Sequence, residues 1–200
     1  DKRSKINIEI EDREFEIIDL EITKKFSEKD IKSFEKTEIE NIINIRNAGS
    51  ALIKKLSIKE TLPMDFIPYL DISNYKLRFS SGISKKIGLK LDISPSDGDS
   101  TNPHNLKLRI ILNDNNLESL IGENEFLEIR YPFRAIVPDY KKTYEFPLEV
   151  KSYYPINQNG LKSDSKDFYI INRELNKAEL PNLKIIHKRR NLLIGKEIFP

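Results

Sequence analysis

The loop Asp92-Ile93-Ser94-Pro95-Ser96-Asp97-Gly98-Asp99-Ser100-Thr101-Asn102 carries the oxygen groups that a hard cation takes as ligands. Asp92, Asp97 and Asp99 are the candidate metal ligands, and Ca²⁺ is the one cofactor the sequence suggests. The spacing is not that of an EF-hand: Gly98 follows Asp97 directly, and no Glu closes the loop. A solvated Asp/Gly/Ser turn is the plainer reading of the same residues. The second cluster is His187-Lys188-Arg189-Arg190, the densest cationic run and a candidate anion site for phosphates or lipid headgroups. It lacks the interleaved aromatics of a single-strand nucleic-acid platform. Its flanks read as strand, so an exposed strand or an interdomain hinge is the plainer reading.

Catalytic groupings are missing from the sequence. His104 and His187 are the only histidines. A zinc site would have to recruit carboxylates, and a Ser-His-Asp arrangement would need a nucleophile elbow. No Gly-x-Ser-x-Gly, phosphate-binding Gly-rich loop or His-Glu-x-x-His occurs. Zero cysteine removes disulfides, thiolate catalysis and Cys-based metal sites together. An enzyme is not expected. The aromatic groups Arg130-Tyr131-Pro132-Phe133 and Tyr153-Tyr154 read as core and edge packing.

The charge balance points to no polyanion partner: Lys+Arg 34 stands against Asp+Glu 32. Apolar residues make up 38% of the 200, enough for a modest core. No apolar run reaches the roughly 18–20 residues that span a bilayer. The chain opens on Asp1 with no basic-then-apolar leader, ends at Pro200, and reads as a fragment. No Asn-x-Ser/Thr acceptor occurs, which leans towards an internal or unglycosylated setting. Cell surface and cytoplasm both remain open.

The elements that must carry these residues have a period of two. Ile6-Ile8-Ile10, Leu89-Leu91-Ile93, Leu106-Leu108-Ile110 and Leu127-Ile129-Tyr131-Phe133 alternate with polar residues, the pattern of half-buried strands. Phe15 to Thr23, Tyr75 to Phe79 and Tyr144 to Tyr153 are further strands. Ile39 to Ile58, interrupted by Asn47-Ala48-Gly49-Ser50, reads as a hairpin whose turn uses the tolerance of Asn and Gly for positive φ. Two segments read as short helix, Ser27 to Lys36 and Ile171 to Leu180 before Pro181. Pro132 and Pro147 fall in strand-like runs, so those strands should be edges or carry bulges. Many short strands at regular spacing predict an antiparallel sandwich.

Ile156 to Lys166 is the best linker. Leu183-Lys184-Ile185-Ile186-His187-Lys188 echoes Leu20-Glu21-Ile22-Thr23-Lys24-Lys25, as if a second copy of the same module began there. The expected organisation is a sandwich over residues 1–155, a linker with a short helix over 156–182, and residues 183–200. That last part is either the first strand of a second module or a tail packed on the first.

One stretch supports a family resemblance. Asn44-Ile45-Arg46-Asn47-Ala48-Gly49-Ser50, the strand Leu52 to Ile58, then Glu60-Thr61-Leu62-Pro63 and Phe66 resembles the Ig-like β-sandwich repeats of prokaryotic, especially archaeal, multidomain proteins of the conserved-repeat or S-layer-associated kind. Leu120-Ile121-Gly122-Glu123-Asn124-Glu125 is similar to that family's turn before its penultimate strand. Glu60 stands where the family has Asp, and this chain is rich in Lys, Glu, Ile and Asn, with only 7 glycines. The resemblance, over about residues 15–154, implies an all-β, Greek-key, Ig-like sandwich with no catalytic residues to carry over. It implies a noncatalytic structural or interaction module whose partners are neighbouring domains or identical subunits. The alternative is a filament or lattice subunit in which a terminal strand, residues 3–10 or 183–194, completes the sheet of the next molecule.

Overall fold

The computed structural model describes residues 16–113, 119–155 and 168–187. The expected strand at Ile6-Ile8-Ile10, the Ile156 to Lys166 linker and Lys188, Arg189 and Arg190 lie outside the described residues. In chain order the strands are β1 Leu20–Phe26, β2 Asp30–Lys32, β3 Thr37–Asn47, β4 Lys55–Leu62, β5 Phe66–Pro68, β6 Lys76–Phe79, β7 Ile87–Ser94, β8 His104–Leu112, β9 Phe126–Ala135, β10 Leu148–Pro155, β11 Phe168–Glu174 and β12 Lys184–Ile186.

They form an antiparallel β-sandwich. One sheet runs β1-β3-β9-β5, with β6 also on β9; the other runs β11-β10-β4-β8-β7. The connections after β3, β4, β6, β8 and β9 each pass from one sheet to the other. That crossing is the Greek-key character the resemblance implied, and the antiparallel sandwich is what the alternation predicted. The alternation also decides what is buried. In β9, Leu127, Ile129, Tyr131, Phe133 and Ala135 point inward and every residue between is partly exposed. Ile39, Ile43 and Ile45 of β3 meet Leu56, Ile58 and Leu62 of β4 in one core. Each such side chain contributes about 1.5–3 kcal/mol on burial. At one end of the core, Phe66 packs edge-on to Tyr144, Phe146 and Phe133 at 4.9, 5.0 and 5.9 Å between ring centres.

Several sequence expectations need correction. The hairpin at Asn47-Ala48-Gly49-Ser50 does not form, because β3 and β4 belong to different sheets. The segment is a corner between layers, fastened to the chain before β1. Ala48 and Gly49 N–H donate to the Asp19 carbonyl at 2.9 and 3.2 Å, and Ala51 N–H donates to Ile17 O at 2.9 Å. Gly49 is there for space and not for φ: a Cβ would sit 2.1 Å from Ile17 O.

The helix expected over Ile171 to Leu180 is replaced by β11, which pairs antiparallel with β10. Tyr169, Ile170 and Ile171 are strand formers, and the free edge of β10 supplies backbone partners that a lone short helix would lack. After Glu174 the chain turns, with Asn176 Oδ1 accepting from Ala178 N–H at 3.0 Å. The other expected helix, Ser27 to Lys36, contains strand β2. Leu183, which is buried, leads into β12, and β12 pairs in parallel with β2.

Pro132 is not on an edge strand and sits in no bulge. β9 pairs with β3 along its whole length, with Glu40 opposite Pro132. On the other side β5 stops at Phe133 and β6 begins at Arg130, so Pro132 faces the gap between them and no ladder donor is missed. Pro147 precedes β10 and uses only its carbonyl, which accepts from Thr61 N–H at 3.2 Å.

Candidate functional site

The solvent face of the β11-β10-β4-β8-β7 sheet forms a groove of about 520 Å³. Its chemistry follows from register. One row across the sheet reads Glu149, Lys59, Lys107, Asp92. The next reads Lys151, Ser57, Arg109, Lys90. Lys59 and Lys107 stand directly opposite each other, a like-charge pairing that costs stability unless something offsets it. Neither has an ion-pair partner among the described residues. The groove lining holds Lys55, Lys59, Lys107, Arg109 and Lys151 against Asp92 and Glu149. Tyr153 closes one end under Lys55, whose ammonium lies 4.5 Å from the ring centre.

The candidate calcium ligands fall apart in space and purpose. Asp92 is on β7, hydrogen-bonded to Arg109 and 3.7 Å from Lys90, and the Arg109 hydrogen bond holds its carboxyl below the usual range. Asp97 Oδ1 accepts from Asp99 N–H at 3.1 Å. Asp99 accepts from the Thr101 N–H and hydroxyl at 2.9 and 2.6 Å. These are turn-stabilising bonds. Among the described residues no group of three or more His, Cys, Asp or Glu is placed to hold a metal. Of the cationic run only His187 is described. It is exposed and packs on Tyr140 with ring centres 4.2 Å apart. His104 is buried at the start of β8, and burial pushes its pKa down.

The sequence reading missed a polar cluster inside the sandwich. Lys24 of β1, Asn41 of β3 and Glu60 of β4 are each at most 6% exposed. Lys24 Nζ donates to Glu60 Oε1 at 2.6 Å and to the Phe146 carbonyl at 2.8 Å. Asn41 Nδ2 donates to Glu60 Oε2 and to the Tyr131 hydroxyl, both at 2.7 Å. Tyr75 stacks on Tyr131 at 4.7 Å. Burial pushes the Glu60 carboxyl up and the Lys24 amine down, each opposed by the charge of the other. A signal was present in the alternation. Lys24 sits in phase with Leu20, Ile22 and Phe26, Asn41 with Ile39 and Ile43, and Glu60 with Leu56, Ile58 and Leu62. A polar residue in an apolar phase is a polar residue in the core.

The two motifs that carried the family resemblance meet at one corner. Asn47 is fully buried; its Nδ2 donates to Ala51 O at 2.8 Å and Gly122 O at 3.2 Å. Glu125 Oε2 closes the second turn by accepting from Gly122 N–H at 2.9 Å, and it pairs with Lys85 at 3.1 Å.

No family model matches the chain, and no curated protein matches it. Among solved structures it is similar to the collagen-binding domain of a Staphylococcus aureus adhesin, at 12% identity over 76% of this chain and 95% of that one, with a TM-score of 0.34. It is also similar to the collagen-binding subdomain of the Enterococcus faecalis surface protein ACE, at 12% identity over 78% and 92%, with a TM-score of 0.38. A third is AvmM, which catalyses macrocyclization in alchivemycin A biosynthesis, at 14% identity over 76% and 86%, with a TM-score of 0.29. Likeness at this level carries no argument about ligand or activity.

Proposed function

We propose that this chain is a noncatalytic interaction module of a longer multidomain protein, of the archaeal type that its motifs resemble. Its contact surface is the basic groove, and its partner is an acidic segment of a neighbouring protein module. The observation that carries this reading is the Lys59–Lys107 pairing. Two ammonium groups with no salt bridge among the described residues face each other across adjacent central strands, with Arg109 and Lys151 in the next row. An acidic strand or loop laid along the groove would offset that repulsion, which is the charge complementarity typical of steered, salt-sensitive association. The module serves equally at a cell surface or in the cytoplasm.

The test is fluorescence anisotropy with a labelled oligoglutamate peptide. Binding is expected at low salt, weakening as salt rises. Lys59→Glu with Lys107→Glu should lower affinity about tenfold or more, equivalent to about 1.4 kcal/mol. No binding at low salt, or equal binding by the charge-reversed chain, overturns the groove.

One observation favours assembly by strand addition as a second reading. Tyr169, Ile170 and Ile171 of β11 are 60%, 54% and 38% exposed on a strand with one described pairing partner. An apolar edge is a template for another strand. On this reading, light scattering shows growth with concentration that Ile170→Lys abolishes. A monomer at every concentration ends it.

A further inference from the structure

Lys24 and Asn41 lie on neighbouring antiparallel strands. Phe26 is opposite Asn41 and Ile43 is opposite Lys24, so the two share the inward face one diagonal step apart. Long side chains reach across that spacing. Glu60 comes from the opposite sheet, and its one carboxylate touches both, with Nζ at 2.6 Å and Nδ2 at 2.7 Å. The site is dry: the side chains of Lys24 and Glu60 are 0% and 1% exposed, and the Phe26 and Phe146 ring centres each lie 5.5 Å from Nζ. An amine, a carboxamide and an acid–base group are thus held together with water excluded.

We propose that Lys24 and Asn41 become joined by an intramolecular isopeptide bond, with Glu60 as the acid–base group and ammonia as the leaving group. Lys24 Nζ, as the free amine, attacks Asn41 Cγ and a new N–C bond forms. Glu60 lends its proton to Oδ1 as the tetrahedral adduct forms and accepts the proton that Nζ sheds. It then passes a proton to Nδ2 and takes back the one on Oδ1. The Cγ–Nδ2 bond breaks and ammonia departs. The net transfer is one proton from Nζ to Nδ2, and no oxidant, metal or second reactant takes part. Each chain makes the bond once, so the module remains noncatalytic towards any partner.

Three further features fit this chemistry. Burial favours the neutral amine and the protonated acid, the forms the first step needs. The Phe146 carbonyl and the Tyr131 hydroxyl hold Nζ and Nδ2 in place. Asn41 Oδ1, which takes the Glu60 proton as the adduct forms, is buried with no hydrogen-bond partner among the described residues before reaction. The product also removes a cost, because an ion pair inside a core pays heavily for lost solvation and an amide carries no charge.

The experiment is intact-mass measurement of the denatured full chain, followed by tryptic mapping. The expected mass is that of the sequence less one ammonia, with a branched peptide linking the Lys24 and Asn41 segments. Lys24→Arg should show its full sequence mass. Asn41→Asp should lose water instead and reach the same product. Glu60→Gln should slow the reaction by about 10²-fold or more. The parent chain decides the matter even if a variant fails to fold. Full sequence mass in the parent overturns the proposal, and so does loss of water mapped to a Lys24–Glu60 link. The groove reading stands or falls separately, since its peptide titration does not depend on the bond.

Discussion

Phe66→Ala is expected to lower the unfolding free energy by about 3–5 kcal/mol, the range for deleting a fully buried aromatic ring. Phe66 is 0% exposed and is the hub of the aromatic end of the core, with Tyr144, Phe146 and Phe133 around it. Strand β5 has only three residues, so this ring is its main anchor to the sandwich. Truncation leaves a cavity that three rigid rings cannot collapse to fill, and edge-to-face contacts are lost beyond the area term. Urea titration of parent and variant checks this through a shifted midpoint at unchanged slope. Phe66→Leu keeps most of the volume and should lose clearly less. A loss below about 1 kcal/mol, the size of an ordinary surface change, would mean that β5 is not fastened through this ring.

The strands were legible because one face of each is wet. β7, β8, β9 and β10 could be read from side-chain alternation, since both layers bury a single face. Sheet membership was not legible. Asn47-Ala48-Gly49-Ser50 has the composition of a hairpin turn, yet the backbone donors of Ala48, Gly49 and the following Ala51 are spent on Asp19 and Ile17, residues about thirty positions earlier. A local rule sees the glycine and infers positive φ; what demands glycine is a carbonyl from another segment. β11 failed for the same reason. Asn172 to Glu179 has helical propensity, but the decisive partner is the edge of β10, and propensities of a few tenths of a kcal/mol per residue yield to a free ladder.

The polar sites divide in the same way. Asp92, Asp97 and Asp99 drew notice as carboxylates in a row, yet Asp92 is aligned by the strand towards Arg109 while the other two serve their own turn. Lys24, Asn41 and Glu60 were not read as one site, although Glu60 was marked as the residue standing for the family's Asp, because they stand far apart in sequence and each is common in its own neighbourhood. What marks them is phase. A polar residue on the inward step of a strand has to find its partner from another strand, and here Lys24 and Asn41 converge on the one carboxylate of Glu60. The basic groove is the outward counterpart: Lys55 and Lys59 on β4, Lys107 and Arg109 on β8 and Lys151 on β10 fall on the same side only once register is known.

Asn47→Asp should be nearly as damaging as removing the side chain, although it changes one atom. Asn47 Nδ2 donates to the carbonyls of Ala51 and Gly122, and Oδ1 accepts from Gly49 N–H at 3.3 Å. A carboxylate can keep only the last of these. It places an oxygen against two carbonyl oxygens in a site that is 0% exposed. Each buried carbonyl left without a donor costs about 1–3 kcal/mol, and the charge adds its own desolvation. A total loss of about 3–5 kcal/mol is expected from Asn47→Asp at neutral pH. The carboxyl must be pushed above its ordinary value by burial, so part of the loss should return as pH falls and the group protonates, because a protonated Asp again has a donor to offer. Asn47→Ala should show the orphaned carbonyls alone, with no such pH dependence. Urea midpoints of the three proteins at pH 5 and pH 7.5 separate these cases. If Asn47→Asp matches the parent at pH 7.5, the corner is held by the backbone bonds to Asp19 and Ile17, and the shared Asn47–Gly122 contact is incidental to the fold.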